Sequence, residues 1–301
     1  MQSDATISVR QVIKNYGSFR AVDDLTFDVF SGEVFAMLGP NGSGKTTTIR
    51  MILDILKPDS GQISVLGGAI TDAAKDRIGY LPEERGLYRS VKVLEMMVYL
   101  GMLKGMSRPD ARHRSMELLD LLELGEHAKS KVSELSKGMQ QKVQFAVTVL
   151  HRPSLIIVDE PFSGLDPVNT RVVKDLLLSF RADGGTIVMS THQMWQVEEM
   201  ADRLLMIDRG AQKLYGRLED IRQQYALHAI VVEGQGDWAA LPGVDHIEHN
   251  GREGTTLYLK PEATSASVLA AIATAADMTI DRFELAIPSL NDIFIQVVED
   301  R

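Results

Sequence analysis

Gly39-Pro-Asn-Gly-Ser-Gly-Lys45-Thr46 spells G-x-x-x-x-G-K-[ST]. In that spacing the glycines let successive backbone N–H groups turn into one concavity, and a lysine follows them directly. Such a cradle binds a polyphosphate, helped by the positive end of the helix that begins there. Gly39, Pro40, Asn41, Gly42, Ser43, Gly44, Lys45, Thr46 and Thr47 are therefore candidate nucleotide contacts. Lys45 would reach the β- and γ-phosphates of ATP, and the Thr46 hydroxyl would ligate Mg²⁺. A second group, Leu155-Ile-Ile-Val-Asp159-Glu160, ends an aliphatic run in two acids. Asp159 suits a metal ligand acting through water. Glu160, one residue beyond, suits a general base for an attacking water.

These residues need a scaffold that delivers them to one place. Glu33–Leu38, Leu155–Val158, Thr186–Met189 and Leu204–Ile207 are nearly continuous apolar runs, the pattern of strands buried on both faces of a parallel sheet. The glycine loop follows the first of these and precedes the apolar run Thr47–Leu56, the strand-loop-helix setting that the motif requires. Ile7–Val12 and Leu25–Val29 alternate instead, as half-exposed strands do. Between Tyr88 and Leu150 the period turns helical, with helices expected over Val91–Leu103, Pro109–Leu122 and Ser136–Leu150. The pattern predicts an α/β core with a helical insertion at about 88–150. After about Tyr225 short strands (His228–Glu233, Thr255–Lys260, Thr279–Leu285) alternate with helices (Ser265–Ala276, Ser289–Val298), the last capped by Ser289 with Asp292 three residues on. The expected division is an ATPase domain over 1–225 and a small α+β domain over 226–301.

Composition sets outer limits. Of the 301 residues 45% are apolar and 24% charged, as in a well-cored globular protein. The net charge of -9 argues against a broad grip on nucleic acid, which needs a basic face. There is no cysteine, so disulfide and thiolate chemistry are excluded. Met1–Arg10 lacks a signal-peptide pattern, and no stretch reaches the roughly 18 apolar residues of a membrane span. Any membrane link is expected to run through a partner.

Four further segments, in this order, make the chain resemble the ABC ATPase family over roughly residues 5–220. Tyr16 precedes the first buried strand; Leu135-Ser-Lys-Gly-Met-Gln140 resembles the signature L-S-G-G-Q; Ser163-Gly-Leu-Asp166 follows the two acids; and Ser190-Thr-His192 ends the next strand. The resemblance implies a P-loop NTPase core with an antiparallel β subdomain and the helical insertion. It implies that Tyr16 stacks on adenine, that Asp166 lies in a loop at the nucleotide, and that His192 contacts the γ-phosphate. It also implies that Ser136 and Gly138 of one subunit cover the ATP on the glycine loop of another. Two copies, or one copy and a related ATPase subunit, would then close head to tail around two nucleotides, driving a multi-span membrane permease at the inner face of the cell membrane.

The chain departs from that family at three positions. Glu83 stands where a glutamine is expected, and would make nucleotide affinity depend more on the metal; an ion pair with Arg85 is the plain alternative. Lys137 replaces a glycine and Met139 a glutamine. With the small C-terminal domain, these variants resemble sodium-efflux and related exporter-type ATPases. Arg108, Arg112, His113 and Arg114 read as a solvated face or a contact to headgroups or an acidic loop; Met96, Met97, Met102 and Met106 as core or as an adaptable docking surface. The alternatives to transport are a soluble ABC ATPase acting on ribosomes or nucleic acid, and a sensor that binds nucleotide without turnover.

Overall fold

Aliphatic runs with no polar interruption can satisfy their burial only inside a sheet covered on both faces. In the computed structural model, which describes residues 5–83, 86–249, 254–275 and 277–299, they do so. Strands β3 (Val34–Leu38), β6 (Leu155–Asp159) and β7 (Thr186–Thr191) are buried at every residue, and β8 (Arg203–Asp208) at all but its first. β3 runs parallel to β7 and β8, and β6 runs parallel to β7 and to β5 (Ile78–Leu81). The register sets Leu38 beside Thr191 and Asp159 beside Ser190. The glycine loop, the acidic pair and His192 therefore leave the sheet at the same edge, the carboxyl ends of parallel strands where α/β sheets bind ligands.

The whole sheet runs in the order β4-β1-β2-β9-β8-β3-β7-β6-β5; in its other half β4–β1, β1–β2 and β9–β8 pair antiparallel, and β2 meets β9 in parallel. Here β1 is Ala5–Tyr16, β2 Phe19–Phe30, β4 Ser60–Val65 and β9 Ala211–Arg217. Ile7, Val9 and Val12 of β1, with Leu25, Phe27 and Val29 of β2, point their alternating apolar positions into one core with β3. Phe27 stacks on Phe35 with ring centroids 5.4 Å apart.

Helix α1 (Lys45–Ile52) opens at Gly44, followed by α2 (Asp72–Lys75), α3 (Val93–Leu103), α4 (Arg108–Leu121), α5 (Lys137–Val149), α6 (Pro167–Ala182) and α7 (Met194–Met200). Ser107 caps α4 and Ser136 caps α5, each hydroxyl accepting a backbone N–H three residues on. Met96 and Met97 are core residues of α3, whereas Met102 is 46% exposed. His113 and Arg114 of α4 both pair with Glu117 along their own helix.

β5 is the outer strand of the sheet on this side. His151, just past α5, places Nε2 3.1 Å from Ile78 O, and Lys104 Nζ lies 3.3 Å from the same oxygen. Burial, with the charge of Lys104, holds the His151 pKa below its ordinary value, against the pull of the Ile78 carbonyl and Asp76. The unfolded chain therefore takes up this proton first, near pH 6.5. The contribution is complete above that pH and is lost as pH falls toward the lower folded pKa. The melting temperature is expected to drop less between pH 7.5 and 5.5 in His151→Gln than in the parent; equal drops in a thermal-melt series would refute this.

Residues group into two compact units, Met1–Arg217 and Leu218–Arg301, a division earlier than the expected 225/226. The second begins with α8 (Leu218–Gln224) and carries a four-stranded antiparallel sheet, order β11-β12-β10-β13. Its strands are β10 (Ala229–Gln235), β11 (Val244–His249), β12 (Thr255–Leu259) and β13 (Thr279–Leu285), with helices α9 (Ser265–Thr274) and α10 (Leu290–Glu299). Ile230, Val232, Trp238, Leu257, Val268 and Ile272 form its own core. Ser289 and Asp292 exchange backbone-to-side-chain hydrogen bonds at the start of α10, the expected capping pair.

Candidate nucleotide site

Two glycines of the loop pack so close to neighbouring backbone that no side chain fits there. A Cβ on Gly39 would lie 2.1 Å from Ile207 O, and one on Gly44, at φ 109°, 2.4 Å from Ala21 O. Asn41 to Thr47 line a cleft of about 400 Å³ together with Tyr16, Phe19, Ala21, Glu83 and Glu160. Ser43 Oγ is buried in this loop with no hydrogen-bond partner among the described residues. An orphaned hydroxyl beside backbone N–H groups fits a ligand rich in acceptor oxygens.

Lys45 is 6% exposed, and its ammonium donates to Gly39 O at 2.7 Å and Pro40 O at 3.2 Å. It lies 3.9 Å from Glu160 Oε1. Burial pushes its pKa down, opposed by the charges of Glu160, Asp159 and Glu83. A cation held over loop carbonyls and faced by three acids is poised for phosphate oxygens. Thr46 Oγ1 donates to Asp159 Oδ1 at 3.4 Å, so the two oxygens expected to share Mg²⁺ are neighbours.

Glu160 has φ 48°, left-handed backbone that a non-glycine residue adopts at a cost of about 1–3 kcal/mol. Its N–H is held by Ser190 O at 3.1 Å and Ser190 Oγ at 3.2 Å. The same Ser190 hydroxyl donates to Asp159 Oδ1. One serine thus fixes both acids. The Glu160 carboxylate, 9% exposed, meets His192 Nδ1 at 2.9 Å. An acid so placed, with an imidazole on one oxygen and a phosphate cradle beyond it, can accept a proton from a water aimed at the terminal phosphate.

Tyr16 and Phe19 pair across the β1–β2 turn and are 48% and 59% exposed. Both offer ring surface to a flat base. Phe19 lines the cleft and Ser190 bonds to both acidic residues, and sequence reasoning assigns a role to neither. Phe19 is signalled only by its hairpin partner Tyr16, and Ser190 only by its place before Thr191-His192. Glu83 is at the cleft wall and exposed; Arg85, its plain alternative partner, lies outside the described residues.

Ser136, Gly138 and Asp166 are not among the residues lining this cleft. Ser136 is exposed at the start of α5. Asp166 caps α6, accepting Asn169 N–H at 2.9 Å and the Asn169 amide Nδ2 at 2.6 Å. That amide covers Gly138 closely: a Cβ there would sit 2.5 Å from Asn169 Cγ and Nδ2.

Comparison with known proteins agrees with this geometry. Residues 22–163 match the ABC transporter family, and residues 216–298 match the C-terminal domain of DrrA1-3-like ATP-binding proteins. The chain is 38% identical to the uncharacterized ABC transporter ATP-binding protein YhaQ of Bacillus subtilis, over 97% of this chain and 98% of that one. It belongs to the ABC transporter ATP-binding proteins. Exporter-type relatives share the resemblance: the Nod factor export ATP-binding protein I of Paraburkholderia xenovorans is 39% identical over 69% of each chain. A solved ATP-binding subunit of an ABC transporter superposes with a TM-score of 0.67 at 32% identity, covering 73% of this chain and 93% of that one. This ABC subunit has a mixed α/β fold with a phosphate-loop site, and no helix among its described residues is long and apolar enough to cross a membrane.

Proposed function

We propose that this chain hydrolyses ATP, with Glu160 as general base, and uses closure of two ATP-bound subunits to drive a separate multi-span membrane permease in the export direction. The observation that carries the reading is the placement of Glu160 between His192 Nδ1 at 2.9 Å and Lys45 Nζ at 3.9 Å, at the wall of the glycine cradle. Glu160 takes a proton from the attacking water, and His192 orients that carboxylate and meets the terminal phosphate. Lys45 leaves its loop carbonyls for the β- and γ-phosphates. Thr46 and Asp159 would hold Mg²⁺, with Glu83 at the cleft wall as a further candidate ligand, and the ion would supply neutralising charge to those phosphates. Tyr16 and Phe19 hold the base.

The cap residues Ser136 and Gly138, with Asp166, belong to a second nucleotide, bound by a second copy or a related ATPase subunit. The terminal phosphate then bridges two surfaces, and its loss releases them. Export is supported by what the Nod factor relative is named for. For the permease, the helical insertion exposes Tyr88 and Tyr99, packed edge to face with ring centroids 6.4 Å apart, and Met102 and Leu103 on the same helix as Tyr99. Such a cluster is more apolar than an ordinary solvated helix face. Through it the subunit lies peripherally at the inner face of the membrane.

Affinity purification from detergent-solubilised native membranes tests the partner. A multi-span protein should be recovered with the parent chain, and Tyr99→Glu with Leu103→Glu should lower that recovery roughly tenfold. Recovery only in soluble assemblies would end the transporter reading.

A further inference from the structure

We propose that Gln141 and Gln144 of α5 are positioning residues that tie the Ser136 end of this helix to both loops of its own subunit's nucleotide site. Gln141 Nε2 donates to Pro161 O at 3.1 Å, the residue after Glu160. Gln144 Nε2 donates to Pro82 O at 3.3 Å, the residue before Glu83. One turn on, Thr148 Oγ1 lies 3.4 Å from Tyr80 O, and His151 Nε2 lies 3.1 Å from Ile78 O. Residues 141, 144, 148 and 151 recur at helical spacing and so share one side of the helix axis.

Their partners recur at strand spacing. The carbonyls of residues 78, 80 and 82 project the same way from the extended chain. Among the described residues β5 is the outer strand and pairs only with β6, so these outward acceptors have no further strand there to meet. The side chains of α5 take that strand's place, running in the opposite direction along it. Contact is close: a Cβ on Gly79 would lie 2.4 Å from Thr148 O. Helix and strand cannot slide past each other without breaking this ladder.

Two features set the glutamines apart from ordinary edge protection. Both are buried, at 6% and 4% exposure. Among the described residues Gln144 Oε1 is also buried without a partner, a desolvation cost of about 1–3 kcal/mol that a side chain merely covering a strand edge would not carry. And the loops they hold carry Glu160 and Glu83, the two acids at the cleft wall. A tilt of α5, imposed at Ser136 by a nucleotide on the facing subunit, therefore shifts Pro161 and Pro82 together. The inference rests on the two-subunit reading above for the force applied at Ser136; the ladder itself does not.

The test uses Gln141→Leu and Gln144→Leu in the full-length chain, with two readouts. In steady-state ATPase assays kcat should fall roughly tenfold, with the KM for ATP within about twofold of the parent. In hydrogen–deuterium exchange without nucleotide, Gln144→Leu should raise exchange in residues 78–83, and Gln141→Leu in residues 161–165. The glycine loop should be unchanged in both. Parent kcat in both variants, or kcat and KM changing in proportion, would overturn the assignment, as would unchanged exchange in both segments. If the parent chain itself neither binds nor turns over ATP, the proposed function fails, and the exchange result still decides the ladder.

Discussion

Replacing Glu160 by glutamine is expected to lower ATP turnover by roughly 10²–10⁴ while ATP binding stays within about threefold of the parent. The change is nearly isosteric, so the left-handed backbone held by Ser190 keeps its two hydrogen bonds. What goes is the basic oxygen that faces the site beside His192 Nδ1. The phosphate cradle and Lys45 remain, so binding persists, and one negative charge fewer near the γ-phosphate favours it slightly. With ATP and Mg²⁺ the variant should accumulate as a dimer in sedimentation velocity, since the bridging phosphate is no longer removed. Parent-rate hydrolysis by the purified variant would take the base role away from Glu160. A variant that stays monomeric at every concentration tried, with intact ATP bound, would remove the two-subunit mechanism.

The second large effect is expected at Lys45→Ala, which should lose binding and turnover together. Lys45 is the cation among Glu160, Asp159 and Glu83 in the cleft, and its ammonium is buried against loop carbonyls. Removing one partner of a buried charge cluster costs about 3–5 kcal/mol, because the remaining charges are left uncompensated. A polyphosphate arriving at three unopposed acids meets repulsion where it formerly met a donor. Affinity for a fluorescent ATP analogue should fall by at least about 100-fold. Near-parent affinity would show that the backbone cradle alone suffices.

Much of this site is legible in the order of residue types along the chain, for a physical reason. A strand buried on both faces has no choice but a continuous aliphatic run, so β3, β6, β7 and β8 announce themselves. The residues that follow them must then lie at one sheet edge. Lys45, Asp159, Glu160 and His192 come from those edges, and the fold brings Lys45 and His192 to Glu160 and Thr46 to Asp159. Elements held by tertiary contact are harder to see. β5 has four residues, and β4 is the mostly polar Ser60-Gly-Gln-Ile-Ser-Val65; each is a strand because a neighbour supplies the ladder. Phe19 reaches the cleft through a hairpin register that no local pattern specifies. Ser190 reads as one more small residue in a buried strand, and only the folded chain sets its hydroxyl between two acids. Among the methionines of α3, composition does not separate core from surface, and burial assigns Met96 and Met97 to the core.

The packing of Asn169 on Gly138 has a consequence for anyone recombining this subunit with its relatives. The amide is fastened to Asp166 at 2.6 Å, and a methyl group at position 138 would require it to move. Residues 138 and 169 thus constitute a single lock-and-key pair, although they lie on successive helices with a whole strand between them. A hybrid spliced between them inherits a key from one parent and a lock from the other, and crossover points outside that interval keep the pair intact.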